Sequence, residues 1–314
     1  MNPPNAQPPI IAIVGPTASG KSELAIEMAL RFNGEIINCD SVQVYQGIEI
    51  ATAKVPFSER RGVPHHLIDF VPPQVNYTAG DWARAAAQKI TEIEARAAMA
   101  MLVGGTGFYL RALRQPFFSS PQTDERLRER LTAIRERRGA LHLYNMLRRV
   151  DAAAAAKLFP RDWPRVQRAL EVYYQTGHRL SEVQPHLPSP HEFAARIRVI
   201  ALCPPRDELY SRINKRVEQW FGSRLLSEVQ SLITANIAID AKVFKALGYR
   251  HMLEYLQGKW SHEEAVSRMK VDERRYAKRQ LSWFRRESGA KWIYRFGDDP
   301  EALKEAIELL EHMP

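Results

Sequence analysis

Cysteine is scarce in this chain: Cys39 and Cys203 stand alone, far apart and in unrelated surroundings. That excludes a disulfide framework and a four-cysteine zinc site, and it suits a reducing cytosol. Long apolar runs are also missing, since no stretch approaches the roughly 18 residues that a membrane helix needs. The opening residues, Met1-Asn2-Pro3-Pro4-Asn5, hold no basic segment followed by an apolar one, so no secretory leader is expected. Residues 1–9 are rich in proline and asparagine and are expected to be disordered. No internal repeat is found. A soluble, cytoplasmic protein with no membrane partner is the expectation.

Net acidity is absent as well. Lys and Arg number 45 against 36 Asp and Glu in 314 residues, a formal charge of +9, and the isoelectric point is near 9.6. Such a balance fits a polyanionic partner such as nucleic acid, although a basic surface without a specific partner would read the same way. The length admits one large domain, or a domain carrying an insertion.

What the chain does hold is Gly15-Pro16-Thr17-Ala18-Ser19-Gly20-Lys21-Ser22, a gapless match to G-x-x-x-x-G-K-[ST], the phosphate-binding loop. The apolar run Ile10–Val14 before it reads as a buried strand, and residues 23–32 after it read as a helix. Loop amides and the helix dipole favour an anion there. Lys21 adds a point charge, and Ser22 is placed to reach a magnesium ion. A phosphate-rich ligand follows, but not its identity.

Strands are further expected at 35–38 and 99–103, with a helix over 79–100 between them. Alternating strands and helices imply an α/β fold: a P-loop NTPase-like parallel sheet flanked by helices. Ligands of such sheets bind beyond the carboxyl ends of the strands. Those ends carry the phosphate loop, Asp40-Ser41-Val42-Gln43, and Gly104-Gly105-Thr106-Gly107. Helices are expected at 124–138, 141–150, 151–158 and 165–176 with no strand between them, as in a helical insertion domain. Residues 181–190 read as a connector, 196–202 as a returning strand and 206–232 as one long helix. The remainder reads as largely helical to residue 311. The expected division is a catalytic core of 1–118 and 196–314 around an insertion of 119–195.

Asp40, at a strand end, could accept a proton, hold a metal through water, or simply form a turn. ATP-hydrolysing P-loop proteins end a strand in an Asp that binds magnesium through water. Here 99–103 ends in Gly104-Gly105, and the only other candidate, Asp69 in His65-His66-Leu67-Ile68-Asp69, follows a weak strand. The paired histidines are not a metal site on spacing and are expected to be structural. Residues 268–286 hold eight Lys or Arg and two acids. As a helix they place Ala277, Leu281 and Phe284 on a core face. Arg275, Arg279 and Arg286 take another face, with Tyr276, Gln280 and Trp283 between them. Cations for phosphates beside rings and an amide for bases fit RNA.

With these residues in view, the chain resembles the bacterial tRNA dimethylallyltransferases, also called tRNA isopentenyltransferases. The ordered matches are GPTASGKS at 15–22, DSVQVY at 40–45, TAK at 52–54, HHLID at 65–69 and GGTGFYLRAL at 104–113. RVQRALEV at 165–172, ALGYR at 246–250 and YAKRQLSWFR at 276–285 complete them. Ala51 stands where the family commonly has Gly, which is expected to tune a loop. The resemblance implies transfer of a dimethylallyl group from dimethylallyl diphosphate to N6 of adenine 37 in tRNA. It implies Asp40 as general base, Thr106 near the adenine and the donor, and Arg216 on the diphosphate, with Arg212 one helical turn away as competitor. The loop Gly15–Ser22 would hold the donor's diphosphate, with Mg2+ at Ser22. It further implies tRNA contacts from Asp40, Ser41, Val42 and Gln43, from Thr106 and from Arg128. Others would come from Pro164, Arg165, Val166, Gln167 and Arg168, and from Lys245, Ala246, Leu247, Gly248, Tyr249 and Arg250. The last group is Lys278, Arg279, Gln280, Leu281, Ser282, Trp283, Phe284 and Arg285. A monomer is expected, though no motif carries that. The competing readings are a small-molecule or nucleoside kinase, which would turn over ATP, and an RNA-binding P-loop switch protein without transfer chemistry.

Overall fold

A computed structural model describes residues 7–312 except 116, 118–120, 122, 186 and 223. Of residues 1–9, for which disorder is expected, 1–6 lie outside the described residues, and 7–9 are described without helix or strand. The chain forms two compact units, one of Met1–Arg114 with His191–Pro314 and the other of Gln115–Pro190. These boundaries fall a few residues before the expected ones.

The first unit begins β1 (Ile10–Val14), α1 (Lys21–Phe32), β2 (Gly34–Asn38), β3 (His65–His66), α2 (Ala79–Ala95), β4 (Met99–Gly104) and α3 (Gly107–Arg114). The second unit holds α4 (Glu125–Arg138), α5 (Ala140–Val150), α6 (Ala152–Ala155), α7 (Trp163–Thr176) and α8 (Leu180–Val183). The first unit then resumes with β5 (Ile197–Leu202), α9 (Arg206–Phe221), α10 (Leu225–Thr234), α11 (Lys242–Lys245), α12 (Tyr249–Leu256), α13 (His262–Phe284), β6 (Lys291–Ile293) and α14 (Pro300–Glu311).

The six strands form one parallel sheet in the order β3-β2-β4-β1-β5-β6. A parallel sheet is covered on both faces, which is why β1 and β4 read as unbroken apolar runs rather than alternating ones. Every residue of β1 is buried. Ile11 and Ile13 share a core with Leu24 and Met28 of α1 and with Ala302 and Ala306 of α14. The register sets Val14 beside Gly104 and Asn38 beside Val103, so three polar turns leave the same edge of the sheet.

Three elements differ from expectation. The helix expected over 79–100 stops at Ala95, because the backbone turns left-handed at Ala97 (φ 56°) and Met99 joins the sheet. The long helix expected over 206–232 is broken after Phe221 at Gly222, a residue with poor helix propensity, and resumes at Leu225. The C-terminal region is not wholly helical: β6 pairs with β5, where Ile293 is buried. A three-residue strand is too short to show a period. His66 and His65 form the edge strand β3 and are structural. His66 Nε2 meets the Glu35 carboxylate at 2.6 Å, and His65 Nδ1 lies 2.8 Å from the Val63 carbonyl oxygen.

In the second unit Leu131, Leu143, Leu147, Val166 and Leu170 make a separate core. Leu143 is fully buried there, so Leu143→Ala should cost about 2–5 kcal/mol. Hydrogen exchange should then accelerate across residues 125–176 while the amides of β1 keep their wild-type protection. Equal acceleration in both units would contradict the independence of the two cores.

Candidate active site

The phosphate loop folds as its sequence demands. Ala18 adopts a left-handed conformation (φ 63°), the kind of local strain that persists where surrounding contacts enforce it. Gly20 caps α1 without a side-chain acceptor, so the first-turn amides of the helix are left to an anion. Lys21 Nζ donates to the Pro16 carbonyl at 2.6 Å. Ser19 Oγ and Arg216 Nε are buried without a hydrogen-bond partner, two polar atoms at one loop that a polar ligand would satisfy.

A cavity of about 730 Å3 opens beside this loop. Lys21, Asp40, Arg216 and Glu273 line it, with Ser22 and Lys245. Arg216 reaches it from α9: its guanidinium donates to Thr17 Oγ1 and lies 4.6 Å from the Trp220 ring centre. Arg212 is paired with Asp298 at 2.8 Å and stacked on Phe296 at 3.6 Å, and it does not itself line the cavity, although Asp298 does. Of the two arginines, Arg216 therefore belongs to the loop.

Asp40 is both a turn residue and a cavity residue. Its Oδ1 accepts from the amides of Val42 (2.9 Å) and Gln43 (3.4 Å), and the described hydrogen bonds of its carboxylate run through that atom. Burial raises its pKa, opposed by those amide bonds and by Lys21. The Asp40 turn is tied to the Gly104 turn, since Thr106 Oγ1 accepts from the Ser41 amide at 3.1 Å. Gln43 Nε2 donates to Thr52 O at 2.9 Å. Asp69 is ion-paired with Lys54 and is not part of the cavity lining. Thus β4 ends in glycines, and the second candidate acid is committed to a structural pair. Ala51 keeps a backbone without positive φ and packs close to Gly248, so alanine is accommodated there.

Helix α13 closes the site. Its buried stripe is Ala265, Met269, Glu273, Ala277, Gln280 and Phe284. The stripe differs from the expected one: Gln280 and Glu273 face inward, whereas Leu281 is only half-buried. A Cβ on Gly105 would lie 1.9 Å from Gln280 Nε2, and one on Gly107 would lie 2.0 Å from the Trp283 ring, so only glycine lets the helix approach. Glu273 went unnoticed in the sequence. Its signal is a carboxylate spaced four residues before Ala277 and seven before Gln280, on the core side of the helix. Burial pushes its pKa up to about 7, against the pull of Arg216, and burial brings Lys21 down to about 8.

The other residues singled out from sequence divide by exposure. Lys278, Arg279, Ser282, Arg285, Lys245 and Arg250 are exposed, Trp283 and Leu247 half-buried, and Phe284, Ala246, Gly248 and Tyr249 buried. In the second unit Pro164 and Arg165 are exposed, but Val166 belongs to the core. Gln167 is buried and donates to the Arg128 carbonyl at 3.2 Å. Arg128 and Arg168 both bind the buried Glu171 carboxylate, Arg128 in bidentate fashion at 2.9 and 3.1 Å.

No described residues group three His, Cys, Asp or Glu around a metal position. The Ser22 hydroxyl and nearby single carboxylates suit a magnesium ion that arrives on phosphate oxygens, since that ion is usually held by few protein groups. Among the described residues no helix is long and apolar enough to cross a membrane.

Residues 43–287 match the family model described as IPP transferase. A tRNA dimethylallyltransferase of Solibacter usitatus is 44% identical over 308 residues, covering 96% of this chain and 97% of that one. The tRNA isopentenylpyrophosphate transferase of Bacillus halodurans is 38% identical, with a TM-score of 0.70 over 98% of this chain and 95% of that one. A eukaryotic dimethylallyltransferase acting on tRNA is 29% identical, with a TM-score of 0.80 over 97% of this chain and 80% of that one.

The position of Glu273 predicts how anion affinity depends on pH. Below pH 7 its carboxyl is neutral and equivalent to an amide; above pH 7 it ionises and repels an anion beside Lys21 and Arg216. Glu273→Gln should therefore bind inorganic diphosphate like wild type at pH 6 and about tenfold tighter at pH 8.5, a difference near one pKa unit of interaction. Taking the ratio of the two proteins at each pH cancels the titration of Lys21 and of the ligand. A ratio that stays flat from pH 6 to 8.5 would contradict this placement of the carboxylate.

Proposed function

The chain belongs to the IPP transferase family, and from that premise we propose that it transfers a dimethylallyl group from dimethylallyl diphosphate to N6 of adenine 37 in tRNA. The observation that carries this reading is the pairing of a diphosphate grip, Lys21 and Arg216, with the Asp40 carboxylate in one cavity whose neighbouring strand β4 ends without an acid. A phosphate loop beside a general base, and lacking the usual ATPase acid, suits a diphosphate that leaves from carbon.

In this mechanism N6 attacks the allylic carbon, the bond from that carbon to the diphosphate oxygen breaks, and the amine proton passes to Asp40. The products are N6-dimethylallyladenosine and diphosphate. The N6 lone pair is delocalised into the purine, so removal of its proton matters; general-base assistance contributes on the order of 10²–10⁴-fold. Oδ1 of Asp40 is held by the turn amides, which leaves Oδ2 to take the proton and fixes the carboxylate plane. Burial raises its pKa toward the working range of a base. The allylic carbon carries partial positive charge as the bond breaks, and negative charge gathers on the departing oxygens. Lys21, Arg216 and the first-turn amides of α1 are set to receive that charge without reorganising. Magnesium, held at Ser22 and the phosphate oxygens, would neutralise the leaving group further. Thr106, bonded to the Ser41 amide and hydrogen-bonded with Tyr276, holds the turn that faces Asp40.

Adenine 37 must leave the stacked anticodon loop to reach such a cavity, which costs a few kcal/mol of unstacking. The exposed cations of α13, Lys278, Arg279 and Arg285, with Lys245 and Arg250, are proposed to hold the RNA backbone. Arg128, Pro164, Arg165 and Arg168 are proposed as contacts from the second unit. The buried Val166, Tyr249 and Phe284 serve by supporting those surfaces.

Incubation with labelled dimethylallyl diphosphate and unmodified tRNA should move label into the RNA without consuming ATP; ATP turnover with unlabelled RNA would support a kinase instead. Asp40→Asn should lower kcat by about 10²-fold or more, and a wild-type kcat would remove Asp40 as the base. Lys278→Ala should reduce the slope of log affinity against log salt for tRNA by about one. An unchanged slope would exclude Lys278 from phosphate contact.

A further inference from the structure

Gln280 lies at the centre of the stretch whose neighbours, Lys278, Arg279 and Ser282, are exposed. Its own side chain points the other way. It is 5% exposed, and both ends of its carboxamide are engaged. Oε1 accepts from the Thr17 amide at 2.8 Å, and Nε2 donates to the Gly105 carbonyl at 3.1 Å. The two partners fix the orientation of the amide: a main-chain N–H must face its oxygen and a carbonyl its nitrogen.

The partners extend the two central strands. β1 and β4 are paired up to Val14 and Gly104, and the chains then diverge into the phosphate loop and the Gly104 turn. The carboxamide of Gln280 sits in that gap like one extra peptide unit, with one donor and one acceptor, and continues the ladder where the strands can no longer reach each other. Glutamate lacks the donor, and asparagine is one methylene shorter. The Thr17 amide is thereby committed to Gln280 and its hydroxyl to Arg216, so the crest of the phosphate loop is set by side chains from α13 and α9. Tyr276, which bonds Thr106, and Trp283, which packs on Gly107, flank Gln280 one turn to either side.

We propose that Gln280 is a positioning residue for the diphosphate rather than a contact to RNA: it holds the phosphate loop in register with the Gly104 turn, so that the loop amides and Lys21 meet the leaving group. This rests on the prenyl-transfer reading above, but its test does not require transfer.

The direct probe is inorganic diphosphate, with binding to an unmodified anticodon stem-loop RNA measured separately. Gln280→Met keeps the length of the side chain and removes both hydrogen bonds. It should weaken diphosphate binding about tenfold, the scale of one buried hydrogen bond, and leave the RNA dissociation constant within about twofold. In turnover, KM for dimethylallyl diphosphate should rise while KM for tRNA stays within about twofold of wild type. Weakened RNA binding with unchanged diphosphate binding would overturn the proposal, as would no change in either. Gln280→Glu gives a second test should the methionine variant fold poorly. Protonated, the carboxyl can donate to Gly105 O and accept from Thr17; ionised, it faces a carbonyl oxygen. Its diphosphate affinity, taken as a ratio to wild type, should approach one in acid and fall as pH rises. The ratio matters because Lys21, Asp40, Arg216 and Glu273 line the same cavity in both proteins. A pH-independent ratio would contradict the bridging role. If no dimethylallyl transfer to RNA occurs in wild type but these ratios hold, the function is wrong and the positioning role stands.

Discussion

One register governs the site: Val14 beside Gly104 and Asn38 beside Val103 in a parallel sheet. Because parallel strands all end at the same edge, this pairing brings together three turns separated by dozens of residues in the chain. The phosphate loop, the Asp40 turn and the Gly104 turn have little else in common. They are then tied crosswise, Ser41 to Thr106 and Thr17 to Gly105 through Gln280. A slip in the pairing would carry the Asp40 carboxylate away from the phosphate loop.

The electrostatics of the cavity follow from that geometry. Two cations, Lys21 and Arg216, face two carboxyls, Asp40 and Glu273, in a place where burial penalises every charge. Burial thus weakens the charge on each group alone, and a multiply charged anion would restore it to the cations. Asp40 and Glu273 are not equivalent. Asp40 accepts two turn amides, which favour its ionised form, whereas Glu273 is balanced by Arg216. Two carboxyls with different environments can hold protons differently at one pH, a common basis for assigning distinct roles.

Much of this was legible in the sequence because the phosphate loop and its flanking strand and helix are local features. So are the apolar runs of β1 and β4 and the alternation that implies a parallel sheet. The missing acid after β4 was visible as Gly104-Gly105. What could not be read were contacts made across the chain. The inward turn of Gln280 depends on the phase of α13, which a mixture of aromatic and basic residues obscures. Glu273 looked like one more surface acid among eight cations. Tyr249 and Val166, within stretches matched as RNA contacts, are core residues, because a contact stretch on a helix must also present a buried face. β6 is too short to carry a pattern, and the break after Phe221 is marked by one glycine, Gly222.

The central claim is that Gly15–Ser22 grips a leaving diphosphate within reach of the Asp40 base. The most direct test is a crystal structure of the protein with an unreactive thio-analogue of dimethylallyl diphosphate and an anticodon stem-loop RNA. The account predicts the diphosphate in the loop, contacted by Lys21 and Arg216, with the N6 amine of the flipped adenine hydrogen-bonded to Asp40 Oδ2. A diphosphate bound away from the loop, or an adenine whose N6 faces a residue other than Asp40, would contradict it.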